Sequence, residues 1–326
     1  MTALSVPPLR PRPVHPQHPA GTPRRAAGRG VTLLMLAACV AASGASCPGV
    51  LRTSQFGTMP LPRTLPAQPS LEQIIATVHD NTQRVKSYVA TQATLAVPGV
   101  PRLAARVACE PPLRFRLQAR TSISGEELDL GSNDDLFWLW IRQHQPPVTL
   151  FCRHDRYDDS PARRMIPIRA EWMPEILGLV QFRPQDRHEG PFPLPNGRIE
   201  IRSWLVPPNA TAADEVRKST ILDGITGLVL EQHLFSSAGQ PLASVRTSRH
   251  LVDPPSGAAL PRMVEVYWPA SDVSGEVQFT LELTSITTNV PTGDPAQLWR
   301  MPARPGFTPV DIAALPPAGT APPAAP

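Results

Sequence analysis

Lysine is almost missing from this chain: of 31 basic residues only Lys86 and Lys218 are lysine, the rest being arginine, a usage that fits a GC-rich genome more than a mechanism. Long apolar runs are missing too. A retained membrane-spanning helix needs at least about eighteen consecutive apolar residues, and the one candidate, residues 31–45, is broken by small and polar residues. No nucleophile elbow, metalloprotease motif, phosphate loop or dinucleotide fingerprint occurs, and there is no repeat of fixed period. The sequence thus makes no case for an enzyme. Cysteine is confined to positions 39, 47, 109 and 152. In a simple meander Cys109 and Cys152 would lie three strands apart at about 4.8 Å each, beyond disulfide reach, so free, buried thiols are expected. Cys152-Arg-His-Asp155 with Asp158 and Asp159 is the one cluster that suggests a metal. His154 and Asp155 are adjacent, however, and no second spaced pair completes a tetrahedral set. Solvated loop residues are the better reading, and neither metal nor cofactor is expected.

What the chain does contain begins at its amino end. Arg10, Arg12, Arg24, Arg25 and Arg29 stand in a stretch without acidic residues, and the apolar run Val31-Thr-Leu-Leu-Met-Leu-Ala-Ala38 follows. A basic segment leading into a short apolar core is an export signal. It ends in Leu36-Ala37-Ala38-Cys39, which resembles the lipobox of bacterial lipoproteins, where small residues fit the signal peptidase and the cysteine thiol takes diacylglycerol. Cys39 is the expected lipidation site, with Cys47 as the alternative; an ordinary secretory cut near Ala45 is the competing reading. Losing the five arginines leaves 26 basic against 27 acidic residues, so the pI of about 9.2 belongs largely to the precursor. No basic nucleic-acid footprint remains.

Proline clusters at residues 48–69 and 302–326. Both segments read as extended and mobile. The expected organisation is a signal peptide over 1–38, a tether over 39–68, one β-rich domain over 69–302 and a disordered tail over 303–326. Within the tail, Phe307, Val310, Ile312 and Leu315 offer too little apolar surface to offset ordering it.

Ser70-Leu-Glu-Gln73 is a capping box. Leu71, Ile74, Ile75, Val78 and Val85 then recur at helical spacing, predicting an amphipathic helix. From Ser87 the period becomes two. Leu113-Arg-Phe-Arg-Leu-Gln-Ala-Arg120 and Glu276-Val-Gln-Phe-Thr-Leu-Glu-Leu-Thr284 alternate apolar and polar residues, as half-buried strands do. Further strands are expected at 88–97, 102–109, 126–131, 136–142, 148–153, 198–206, 217–222, 226–235, 242–251 and 262–268. Turn residues separate them, which implies an antiparallel meander. A second helix is expected at Glu171–Gly178, with Pro174 in its first turn, and residues 182–197 read as a loop. So many strands and so few helices mean that the sheet curls onto itself or around a cavity. The expected class is mainly β (α+β): a large curled antiparallel sheet forming an incomplete barrel with a helix lid.

Several stretches, in this order, resemble the periplasmic lipoprotein carrier and outer-membrane lipoprotein receptor family, LolA and LolB. They are the helix and first strands, Pro111-Pro-Leu-Arg-Phe-Arg116, the turn Ser132-Asn-Asp-Asp135 into Leu136-Phe-Trp-Leu-Trp140, and Leu222-Asp-Gly-Ile-Thr-Gly-Leu-Val-Leu230. Leu260-Pro-Arg-Met-Val-Glu-Val266 and Asp294-Pro-Ala-Gln-Leu-Trp299 complete the set, which covers roughly residues 70–300. The order carries the resemblance, since none of the motifs is diagnostic. It implies an apolar half-barrel that receives lipid or the acyl chains of lipoproteins. The cavity residues it suggests are Leu113, Phe115, Leu117, Phe137, Leu139, Trp140, Leu228, Leu230, Val277, Phe279, Leu281 and Leu283. Strand 137–141 is apolar on both faces, so burial in a two-sided core competes with ligand contact there. The expected setting is a monomer held by its lipid on a membrane facing the periplasm, the outer membrane being favoured. The alternative, from another class, is a sensory or scaffolding lipoprotein that uses the same fold to bind an envelope protein. A chain-sized cavity of about 300 Å³ or more would favour the first reading, and a filled interior the second.

Overall fold

The computed structural model describes residues 61–166, 169–205, 216–270, 275–291 and 293–316. The chain divides into Met1–Gln55, outside the described residues, and Phe56–Pro326, to which everything below refers.

Helix α1 (Leu71–Gln83) opens on the predicted capping box: the Ser70 hydroxyl accepts from the Gln73 amide, and the Gln73 side chain accepts from the Ser70 amide. Six strands follow: β1 (Tyr88–Ala96), β2 (Leu103–Glu110), β3 (Arg114–Thr121), β4 (Gly125–Ser132), β5 (Leu136–Ile141) and β6 (Val148–Arg153). An irregular passage then carries two single-turn helices, α2 (Ala162–Met165) and α3 (Met173–Ile176). The sheet resumes with β7 (Arg187–Leu194), β8 (Arg198–Leu205), β9 (Val216–Asp223), β10 (Val229–Phe235) and β11 (Pro241–Ser248). After the short pair β12 (Leu251–Val252) and β13 (Ala259–Leu260) come β14 (Met263–Trp268) and β15 (Val277–Thr288). The last elements are α4 (Pro295–Leu298) and β16 (Thr308–Asp311).

Fourteen strands form one open sheet in the order β16-β6-β5-β4-β3-β2-β1-β15-β14-β11-β10-β9-β8-β7; β12 and β13 pair separately. The main core joins Phe115 and Leu117 of β3 to Leu205 of β8 and Leu234 of β10, so the sheet curls around its own contents. This is the mainly β, unclosed half-barrel that the strand count predicts.

The structure departs from the sequence reading in five places. Residues 187–194 form strand β7 rather than a loop. Gly190, Pro191 and Pro193 are tolerated because β7 is an edge, with its pairing to β8 slipping between Glu189 and Phe192. The helix expected at 171–178 is only a 3-10 turn (Ala170–Trp172) running into α3, with Pro174 in the first turn as expected. The sheet is not wholly antiparallel, since β16 lies parallel to β6. Part of the supposed tether is docked: Leu65 packs against α1, and the Thr64 and Leu65 amides both donate to the Ile225 carbonyl at 3.1 Å.

The fifth departure is the largest. The tail read as disordered from residue 303 is structured through Pro316. After β15 the chain runs over the outer face of β3–β5, forms β16 beside β6, and turns inward to bury Ile312 completely. A Pro-rich segment can dock in this way because the sheet supplies what its own composition does not, namely a free β6 edge and two buried tryptophans.

Candidate functional site

Directly opposed residues in paired strands share a face, so the register fixes what the concave wall presents. Tyr88, Cys109, Phe115, Ser132, Phe137 and Cys152 form one row across β1–β6. Ala93, Ala105 and Ala119 form another, a trough of small side chains across β1–β3. On the opposite wall, Val266 of β14 aligns with Val245, Gln232, Thr220 and Ile201, and Ala243 aligns with Leu234, Lys218, Ser203 and His188. That side is therefore apolar with a polar stripe.

Residues 169–182 fill the hollow between the walls. Trp172, Met173, Ile176, Leu177 and Leu179 all belong to the main core and are buried. With so few helical turns, this plug has little hydrogen bonding of its own and is held by polar contacts to its surroundings. Thr82 Oγ1 donates to the Val180 carbonyl at 2.8 Å, and the Phe182 amide donates to His79 Nε2 at 3.0 Å. His79 therefore stands as a neutral acceptor, consistent with the burial that pulls its pKa down. Gly178 has φ +87°, and a Cβ there would lie 2.7 Å from Pro261 Cδ, so glycine is required for the chain to turn beneath β13.

One tie is electrostatic. Glu175, on α3, forms a buried ion pair with Lys218 on β9, and Gln232 Nε2 donates to the Glu175 carbonyl at 3.2 Å. Burial pushes the Glu175 carboxyl up, against the pull of the Lys218 ammonium. Small voids of about 30 and 90 Å³ flank the pair, and both are lined by Trp172, Glu175 and Lys218.

At the end of the sheet where β1 finishes and β9, β11 and β15 begin, the covering thins. Val97, Leu128, Val216, Leu242, Trp268 and Phe279 pack on the core yet stay part-exposed, giving that end an apolar rim. A separate groove of about 230 Å³ runs beside α1, lined by Val78, Asn81, Gly178, Leu228 and His250 among others.

The expected cavity residues thus scatter. Phe115, Leu117, Leu281 and Leu283 lie buried on the concave face around the plug. Leu113 and Phe137 face the same way but are covered by Tyr157, Ala162, Ala170 and Ile312. Leu139, Val277 and Phe279 are half-buried on the less covered part of the wall. Leu228 lines the α1 groove, and Leu230 is half-buried where the β9–β10 register slips. Trp140 is a correction, because the strand alternation that puts Phe137 and Leu139 inward turns it outward. There it meets Phe307 edge-on, with ring centroids 5.3 Å apart, and the Arg304 guanidinium stacks 4.0 Å from its ring centroid. The expected chain-sized cavity is likewise occupied by the plug.

Sequence reasoning missed the outer-face network. Asp129, fully buried, accepts from Arg116 Nε (3.1 Å) and Nη2 (2.8 Å), from Trp138 Nε1 (3.3 Å) and from Arg304 Nη2 (2.7 Å). Trp138 lies flat on β4 because residue 131 is glycine; a Cβ there would fall 2.1 Å from the ring. Two outward tryptophans on one strand were the available signal that this face is covered.

Cys109 and Cys152 are free and buried, and burial raises both thiols, that of Cys152 to about 11. His154 begins a 3-10 turn (His154–Arg156) and its Nε2 donates to the Asn133 carbonyl at 2.8 Å, while Asp155 pairs with Arg153. Cys39 and Cys47 lie outside the described residues. No described helix is long and apolar enough to cross a membrane, which says nothing of strands.

No family model and no curated protein matches this chain. Among solved structures it is similar to a LolA superfamily protein from Nitrosomonas europaea, at 12% identity over 72% of this chain and 99% of that one, with a TM-score of 0.43. A putative outer membrane lipoprotein-sorting protein domain from Vibrio parahaemolyticus matches at 10% identity over 71% and 100%, TM-score 0.43. A DUF1329 family protein from Desulfovibrio piger matches at 10% over 69% and 95%, TM-score 0.44. Likenesses of this size concern the course of the chain and carry no argument about activity.

Proposed function

We propose that this chain is a lipid-anchored protein of the cell envelope, tethered through Cys39 or else Cys47, that binds an acyl chain in its curled sheet. One observation carries the reading: the apolar concave wall is completed by a short, weakly helical insert instead of by the sheet itself. Withdrawing residues 169–182 would uncover Phe115, Leu117, Leu281, Leu283 and the alanine trough while leaving the strand ladder intact. The part-exposed rim offers an apolar way in. Burying a chain methylene is worth about 0.8 kcal/mol, so a long chain can offset displacement of a plug this small.

The filled interior favours a second reading, in which the closed form is the working form and the surface binds another protein. Native mass spectrometry of the full-length chain extracted from membranes separates the two. The first reading expects a covalent diacylglycerol and, in addition, lipid that leaves on collisional activation. Empty protein that also fails to take up a fluorescent fatty acid would overturn the first and favour the second.

A further inference from the structure

The geometry points to the ligand's chemical class: an acyl chain ending in a single anionic head, which Lys218 receives in the seat now held by the Glu175 carboxylate. This rests on the acyl-chain reading above and deepens it.

The plug itself is built like such a ligand. It presents one carboxylate, Glu175, to the wall, and a run of apolar side chains, Trp172, Met173, Ile176, Leu177 and Leu179, to the hollow. A buried ion pair is a poor way to fasten a plug, because two desolvated charges return little more than well-packed apolar residues would. The pair makes sense if the wall needs its cation for something else and the plug neutralises it meanwhile. Residue choice agrees: in a chain that otherwise uses arginine almost throughout, this is one of two lysines, and a compact ammonium on a flexible stem can follow either partner.

A second observation comes from the wall alone. Thr220 lies two residues beyond Lys218 on β9 and projects from the same face. It is fully buried, and its hydroxyl has no hydrogen-bond partner. Gln232, its cross-strand neighbour, carries an amide that now donates to the plug's backbone. Lys218, Thr220 and Gln232 thus gather three donors on one patch, with voids on either side of the ion pair. Lys218 also stands two residues from Val216 at the rim. A head seated there leaves the chain to run inward along the path of the plug.

The full-length chain would be titrated with palmitate, hexadecyl phosphate and neutral hexadecanol, each displacing a fluorescent fatty alcohol. Glu175→Gln removes the competing carboxylate charge, and Glu175→Gln with Lys218→Met removes both charges without stranding either. Palmitate should bind the unmutated chain at least about tenfold more tightly than hexadecanol, a difference of about 1.4 kcal/mol. Glu175→Gln should tighten palmitate further, and the double variant should bring it down to the level of hexadecanol. Hexadecyl phosphate outcompeting palmitate would identify the head as a phosphate. Equal binding of charged and neutral chains in all three proteins would overturn the anionic-head assignment and leave acyl binding standing. Binding of none would overturn the acyl-chain reading itself.

Discussion

An inner and an outer segment each cover part of this sheet, and they are held in different ways. The inner plug, 169–182, puts its apolar side chains into the core, meets the wall through the Glu175–Lys218 pair and the Gln232 amide, shares two hydrogen bonds with α1, and is tied at its start by the Arg169–Asp158 pair. The outer strap, 294–316, is fastened at every stage. Arg116 Nη1 donates to the Gln297 and Leu298 carbonyls at 3.2 and 2.7 Å, and Asn133 Nδ2 donates to the Trp299 carbonyl at 3.0 Å. Arg304 pairs with Glu126 and Asp129, and β16 adds a ladder to β6. A cover with polar fastenings distributed along the sheet locks a face, whereas one that meets the sheet mainly by apolar fit and one ion pair is the easier of the two to displace.

The contrast can be broken most directly at Asp129. Asp129→Ala leaves the Arg116 and Arg304 guanidiniums without their buried partner, and removing one side of a buried pair costs about 3–5 kcal/mol. Urea denaturation should show a loss of that size; a loss below about 1 kcal/mol would mean that the strap is not locked through this carboxylate. Next comes truncation after Gly306, which removes Phe307, β16 and Ile312 while leaving Arg304 on Asp129. Burying an isoleucine side chain is worth about 1.5–3 kcal/mol, so with the ladder a loss of about 3 kcal/mol, or about 10 °C in Tm, is expected. An unchanged Tm would return the segment to the status of a loose tail.

The smallest effect lies on the plug side. His250 lines the α1 groove together with Gly178, and burial lowers its pKa to about 4, against opposing pulls from the Val229 backbone and Asp223. Because the folded pKa lies below the unfolded value of about 6.5, the unfolded chain binds more protons in this window. The contribution is whole above pH about 6.5 and is lost as pH falls towards 4, amounting to about 2–3 kcal/mol. Stability measured at pH 7 and pH 4 for the unmutated chain and for His250→Gln should differ by that slope. Identical slopes would show that His250 does not report on this side of the molecule.

The strands were legible wherever one face is wet. Glu276–Thr284 alternates because water lies opposite the core, Leu113–Arg120 alternates because its outer side chains are polar, and Ser70–Gln73 announces its helix by local chemistry alone. The legible pattern also misled at Arg116. Its even position in β3 reads as solvent-facing, yet it is buried, because its cover arrives from residues 297–304. No local window contains that information. The plug was half legible: a helix was expected there, but the Glu175–Lys218 pair spans 43 residues and joins a predicted helix to a predicted strand with nothing in either to couple them. Trp140 was misplaced for a simpler reason, since its own parity within Phe137–Ile141 already opposes Phe137 and Leu139.

The open sheet has one more consequence, for how the molecule keeps company with its own kind. An unclosed barrel exposes two borders on which a foreign strand could extend the ladder. One border is β16, four residues long and containing Pro309; the other is β7, interrupted by Gly190, Pro191 and the slip between Glu189 and Phe192. Short, kinked, proline-bearing borders make poor templates for an incoming strand. Copies crowded together would therefore find no long, straight margin along which to fuse into larger sheets.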